Sequence, residues 1–230
     1  MEDLTGFIKN ALLEHGAVLV GVGDLTELPE DVRCGMPIGI SVAVRYSDEV
    51  IKGIAELPTP EYFRWYTSLN KKLDALVTFG AETLRAHGYA AIAQTRAQVG
   101  NGEEDLNTAL PHKTVATRAG IGWIGKSALL VTEQYGSMIR LSTILTDAPL
   151  EPDTPINQSR CGDCMVCTDA CPGKAISGKA WELGLYRDEL FDPVKCRDAA
   201  RERSQQGFGG GATVCGKCIE ACPYTQRAWE

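Results

Sequence analysis

A chain of 230 residues with ordinary apolar and charged content has enough material for one large core or two modest ones. No apolar run reaches bilayer-spanning length, and Met1-Glu2-Asp3-Leu4 opens no basic-then-apolar leader, so export and membrane anchoring are not expected and the cytoplasm is the expected location. A formal charge of −7, with Lys and Arg scattered, argues against a nucleic-acid partner held mainly through phosphates.

In chain order, residues 3–15 pattern as an amphipathic helix, with Leu4, Phe7, Ile8, Ala11 and Leu12 on one face and Gly16 as the stop. Ala17–Val22 and Ile38–Val44 read as buried strands, and a long helix is expected from Glu61 to His87, after Pro60 and before Gly88. Tyr89–Gln94 is a third short strand. Gly100-Asn101-Gly102 and the acidic residues after it form a turn. From Lys113 the pattern is helical, then glycine-rich, then strand-like across Met138–Leu145. Residues 147–158 carry three prolines without periodicity and read as a linker. Helices mixed with these strands imply an α+β or α/β layer, with domains at 1–155 and 156–230 and only short helices in the second.

Eight of the nine cysteines lie between Cys161 and Cys222, with Cys34 alone. Such clustering in a chain without an export signal reads as metal binding rather than a disulfide scaffold. Cys161, Cys164, Cys167 and Cys171-Pro172 have the bacterial ferredoxin spacing. Three thiolates two residues apart can wrap one cubane, while Pro172 is expected to open a helix and direct Cys171 to another. Cys215, Cys218 and Cys222-Pro223 repeat the pattern one cysteine short, and Cys196 is free to complete it. The predicted ligand sets are Cys161, Cys164, Cys167 and Cys222 for one [4Fe–4S] cluster, and Cys171, Cys196, Cys215 and Cys218 for the other. Zinc knuckles also use paired cysteines, but they would leave the third and fourth of each motif without purpose. Cys34 is expected to be an ordinary buried thiol.

Gly120, Gly122, Gly125, Lys126 and Ser127 satisfy a dinucleotide fingerprint and a phosphate-binding loop at once. Both need a hydrophobic strand before the first glycine, and His112–Ala119 is half polar and helix-like. An ATPase is therefore the weakest reading. The segment is otherwise a turn with Trp123 in the core, or a place where glycines let a large flat cofactor approach, with Lys126 and Ser127 as polar contacts.

The run His112–Asp147, followed by the two cysteine motifs, resembles epoxyqueuosine reductase and its shorter relatives over about Lys113–Thr225, with the first half matching in outline. The resemblance implies a nitroreductase-like α/β layer domain holding cobalamin, followed by a ferredoxin-like double [4Fe–4S] domain, and kinship with corrinoid-dependent reductive dehalogenases. It makes Gly120, Gly122, Gly125, Lys126, Ser127 and the Gly136-Ser137 turn candidate corrinoid contacts. The chain departs from the pattern where a catalytic acid is implied. The matching strand runs into Ala93-Gln94-Thr95-Arg96 without a carboxylate, and an insertion at about Gln98–Pro111 follows. The chain also stops at Glu230, where the family carries a helical-repeat extension that helps hold tRNA. His112 and Tyr135 are the candidate proton donors. The resulting expectation is a cytoplasmic iron–sulfur oxidoreductase that receives electrons from a ferredoxin or flavodoxin and reduces a small molecule rather than tRNA. The alternative is a non-enzymatic electron carrier that docks a partner.

Overall fold

The computed structural model describes residues 3–99 and 106–229; the expected Gly100-Asn101-Gly102 turn lies outside them. In chain order the elements are α1 (Leu4–Glu14), β1 (Leu19–Asp24), β2 (Ile38–Arg45), α2 (Asp48–Lys52), α3 (Pro60–Ala86), β3 (Ala91–Gln94), α4 (Arg96–Val99) and α5 (His112–Arg118). There follow β4 (Trp123–Ile124), β5 (Leu130–Val131), β6 (Ile139–Thr146), α6 (Val166–Asp169), α7 (Arg187–Leu190), α8 (Pro193–Phe208), α9 (Lys217–Glu220) and α10 (Pro223–Arg227). No described helix is long and apolar enough to cross a membrane.

The chain forms two compact units. One comprises Met1–Val44, Leu69–Gly122 and Arg140–Ile156, and the other Arg45–Ser68, Trp123–Ile139 and Asn157–Glu230. The expected boundary near 155 lies next to the last crossover, but 45–68 and 123–139 group with the cysteine-rich region. Contiguous sequence reading has no signal for such excursions, because they are made by tertiary packing.

The first unit is built on a four-stranded sheet of order β1-β2-β6-β3, with β1 antiparallel to β2 and β3 antiparallel to β6. Ile38–Val44 is buried at every position, the mark of a strand covered on both faces. Asp3 caps α1 by accepting from the Gly6 amide at 3.0 Å, and Ile8 and Leu12 supply its buried face. Gly80 lets α3 settle closely on its neighbours, since a Cβ there would stand 2.5 Å from Ile144 Cδ1 and 3.1 Å from Leu12 Cδ2. The end of α5 lies equally tightly on β1, where a Cβ on Gly23 would meet the Ala119 amide nitrogen at 2.9 Å.

Residues 147–158 have no regular structure, yet as far as Ile156 they are bound into this unit. Asp153 donates its amide to the Val22 carbonyl (2.7 Å), accepts from the Val22 amide through its carboxylate (2.8 Å) and pairs with Lys9 Nζ at 2.7 Å. Ile156 donates to the Thr117 carbonyl at 2.9 Å. Proline content thus marks a strap along the edge strand rather than a free linker. Asp153→Ala removes a charge-assisted bond to a backbone amide together with an ion pair, and is expected to cost about 1–2 kcal/mol. Asp153→Asn, which can still accept from Val22, should cost less, as read from thermal unfolding midpoints.

The second unit contains the β4–β5 hairpin and the short helices. The helix α8 is an exception to the expectation of short helices only, at 16 residues. Its residues are polar nearly all round, so periodicity hides it. Its ends are nonetheless written in the chain: Asp192 accepts from the Val194 and Lys195 amides, Pro193 holds the first turn, and Gly209 closes it at φ +69°.

Candidate iron–sulfur centre

The two cysteine motifs fold alike. Each places a glycine at positive φ after its first cysteine, Gly162 at +53° and Gly216 at +75°, and each continues into a one-turn helix, α6 or α9, that packs against the other. Gly216 is also pressed on by its surroundings, because a Cβ would approach Tyr62 Oη at 2.9 Å. Pro223 begins α10 as expected. Pro172 does not begin a helix: Cys171 to Lys174 form a turn, closed by the Lys174 amide on the Cys171 carbonyl at 3.1 Å. The reason is packing. Gly173 is seated on α8, where a Cβ would lie 2.8 Å from Ala199 Cβ and 2.9 Å from the Lys195 carbonyl. The same seat brings Cys171 to the helix that carries Cys196.

Cys161, Cys164, Cys167 and Cys222 line one cavity together with Gly125, Lys126, Ser127, Val131, Pro223 and Tyr224. The Cys167 thiol is pushed up to about 11 by burial and by the charges of Cys222, Cys161 and Cys164. Cys196 is pushed up to about 11 by burial and by Cys171 and Cys215. Cys218, fully enclosed, is raised far above the ordinary thiol range by burial, then by Cys215 and Cys196, with smaller contributions from Cys167 and Cys171. Two groups of four thiols therefore stand close enough to repel as thiolates. Among the described residues no three Cys, His, Asp or Glu side chains converge on a single-ion site; the first four thiols surround a space instead. Anionic sulfur in such surroundings requires iron or another cation in place of the protons. Burial raises the Cys222 thiol, and the backbone amides of Thr225 and Tyr224 offset part of that rise. Cys34, expected to be buried, is exposed at φ +54° in a turn.

The glycine segment resolves into a hairpin. Gly125 donates to Leu129 and accepts from Ala128, both at 2.8 Å, so the chain turns from β4 back into β5 and no helix follows. A phosphate-binding loop needs strand, loop and helix, and this segment has strand, turn and strand. Gly125 faces the thiols, since a Cβ would meet Cys161 Sγ at 3.5 Å and Val131 Cγ2 at 2.8 Å. Lys126 is 6% exposed, with Nζ 3.5 Å from Met165 Sδ. Trp123 is wholly buried and meets Tyr224 edge-on at 4.9 Å, which fixes the hairpin to the Cys222-Pro223 segment. Gly120 and Gly136 serve close packing: a Cβ on Gly120 would lie 2.5 Å from the Thr154 carbonyl, and one on Gly136 would collide with the Thr225 backbone. Ser137 completes that second contact by donating its amide to Thr225 Oγ1 at 3.1 Å. Gly122 is buried, and Ser127 is half-buried on the cavity wall.

The two proton-donor candidates belong to different units, His112 to the first and Tyr135 to the second. Tyr135 is half-buried under the Arg45 guanidinium, 5.1 Å from its ring centroid. His112 Nδ1 lies 2.9 Å from Thr143 Oγ1, and burial followed by the Arg140 charge brings the imidazole down to about 4. A neutral imidazole at pH 7 is a poor proton donor. Because the folded value lies below the ordinary one, the unfolded chain takes up the proton first, so this stabilisation is complete above about 6.5 and is lost as pH falls toward 4. In protein labelled with ¹³C at histidine, the resonance that vanishes in His112→Gln should remain that of neutral imidazole at pH 5.

Comparison with known proteins agrees with this geometry. Residues 160–225 match the family described as a 4Fe-4S double cluster binding domain. Epoxyqueuosine reductase of Listeria monocytogenes is 33% identical over 164 residues, covering 70% of this chain and 39% of that protein. The Bacillus subtilis enzyme is 41% identical over 133 residues, covering 58% and 32%. The chain thus spans about two fifths or less of these relatives. Among solved structures, a catabolic reductive dehalogenase in complex with 3-bromo-4-hydroxybenzoic acid aligns at TM-score 0.70 and 19% identity, over 95% of this chain and 31% of that one. An epoxyqueuosine reductase with a modified tRNA-Tyr stem loop aligns at 0.63 and 19%, over 97% and 65%. A dehalogenase whose structure suggests a mechanism for B12-dependent dehalogenation aligns at 0.69 and 18%, over 96% and 33%. Residues 160–225 are therefore a double [4Fe–4S] cluster binding domain, in a chain that is similar in sequence to part of the epoxyqueuosine reductases and shares its fold with reductive dehalogenases.

Proposed function

We propose that the chain is a reductase that passes electrons through two [4Fe–4S] clusters to a corrinoid held by its sheet-based unit, a nitroreductase-like layer in a cytoplasmic protein. What supports this is that Cys161, Cys164, Cys167 and Cys222 line one cavity, while Cys171 and Cys215 are the neighbours that raise the Cys196 and Cys218 thiols. These are the two ligand sets we assign. Cys167 and Cys218 influence each other across the sets, which supports electron exchange between the clusters. Exposed Met165 and Val166, between Cys164 and Cys167, give a ferredoxin or flavodoxin donor an apolar place to approach.

The corrinoid is supported by the B12-dependent relative of the same fold. When bound it would supply low-potential cobalt chemistry. Gly120 and Gly136 offer it no open backbone, because their bare faces are filled by Thr154 and Thr225. Gly122 remains a candidate in the sheet-based unit, whereas Ser127 belongs to the cysteine-rich unit and lines the thiol cavity. Titration of anaerobic holoprotein with cob(II)alamin, followed by electron paramagnetic resonance, should show saturable change at micromolar cofactor. An unchanged spectrum would leave an electron carrier as the function.

The relatives' names make epoxyqueuosine in tRNA the first substrate to test. The formal charge of −7 and the absence of a carboxylate in Gln94-Thr95-Arg96 favour a smaller molecule. Incubating reduced protein with epoxyqueuosine-containing tRNA, followed by nucleoside mass spectrometry, should leave the epoxide intact; conversion to queuosine would establish the tRNA activity instead. For the ligand sets, Cys196→Ser should lower iron from about eight to about four per chain, and Cys34→Ser should leave it unchanged.

A further inference from the structure

We propose that Lys126 is the residue that sets the reduction potential of the cluster held by Cys161, Cys164, Cys167 and Cys222. This rests on the ligand assignment above. It gives a role to the phosphate-loop-like Gly125-Lys126-Ser127 triplet that neither nucleotide binding nor corrinoid contact absorbs.

Lys126 lies on the wall of the cavity that those four cysteines line, and it is 6% exposed. Its ammonium points to the ligand loop itself: Nζ is 3.5 Å from Met165 Sδ, the side chain that follows Cys164. A thioether is a weak acceptor and carries no charge, so it does not compensate a buried cation. Among the described residues no carboxylate lies within ion-pair distance of Lys126, and Glu133, which follows β5, pairs with Arg160 at 3.1 Å instead. A buried cation without an anion is strongly unfavourable. The anion that fits is the cluster, whose four thiolates outweigh the positive charge of its iron–sulfide core.

The hairpin explains how the cation is held there. Gly125 has no Cβ where Cys161 Sγ and Val131 approach, so the turn can lie against the thiols. Ala128 completes the turn at φ +59°, and Trp123 fastens the strand to Tyr224. The lysine is therefore presented by a short, tied turn rather than by a free side chain on the surface. Net charge, hydrogen bonding and solvent exposure are the levers that move the potential of such clusters. A fixed positive charge in a water-poor wall favours the state with one more electron, so it makes this cluster easier to reduce than it would be without the lysine. It is a positioning charge, not a catalytic group.

The test is an anaerobic potentiometric titration of the full holoprotein, monitored by electron paramagnetic resonance, for wild type, Lys126→Met, Lys126→Gln and Lys126→Arg. Removing the charge should make reduction of one cluster at least tenfold less favourable, a downward shift of about 59 mV or more for a one-electron couple. The second cluster should keep its potential, and Lys126→Arg should stay near wild type. Unmoved potentials in Lys126→Met and Lys126→Gln with full iron would overturn the proposal, as would an arginine variant shifted as far as the neutral ones. If all three variants lost cluster iron, the lysine would be a requirement for assembly and the proposal would fall. A wild-type protein without two cubanes would instead remove the ligand assignment beneath it.

Discussion

Crowded sulfur is the constraint on which the cysteine-rich unit depends. Burial and mutual repulsion hold Cys167 and Cys196 at about 11 and push Cys218 higher still. Without iron these thiols hold their protons. With iron they become thiolates, and the same crowding becomes a ligand field. Metal loading and folding of this region are therefore one process.

Several otherwise separate features serve that crowding. The strong caps of α8, Asp192 with Pro193 at one end and Gly209 at the other, fix a polar helix whose main contribution is Cys196. Gly173 lets the turn after Cys171 rest on that helix. The β4–β5 hairpin brings Gly125 and Lys126 to the other set of thiols, held by Trp123 on Tyr224. The sheet-based unit depends on a different device, close helix packing over bare glycines at 21, 23, 39 and 80. Its strap at Asp153 shows that an irregular segment can be as firmly bonded as a strand.

Much of this is legible in the sequence. Local patterns that repeat with the period of their own element are visible in one dimension, and so α1, α3, β2 and β6 lie within about two residues of where the pattern predicts them. The cysteine spacing was legible because ligand geometry imposes it directly. The excursions of 45–68 and 123–139 into the cysteine-rich unit were not, since no local preference encodes a long-range partner. The helix α8 escapes a periodicity reading because a helix without an apolar face has only its caps to announce it. Pro172 misled because a proline after cysteine is compatible with both a helix start and a turn, and packing of Gly173 on α8 decides between them. The phosphate-loop motif matched letter for letter and failed on context, as the strand-turn-strand path of Gly125–Leu129 makes plain.

The central claim is that eight thiols hold two cubanes near enough to exchange electrons. Electron paramagnetic resonance of the fully reduced, anaerobically prepared protein tests it most directly. Two [4Fe–4S] clusters as close as the Cys167–Cys218 proximity implies should give a broadened spectrum that integrates to about two spins per chain, with spin–spin interaction that disappears on partial reduction. A sharp spectrum of a single isolated cluster, or zinc in place of iron in the purified protein, would contradict the account.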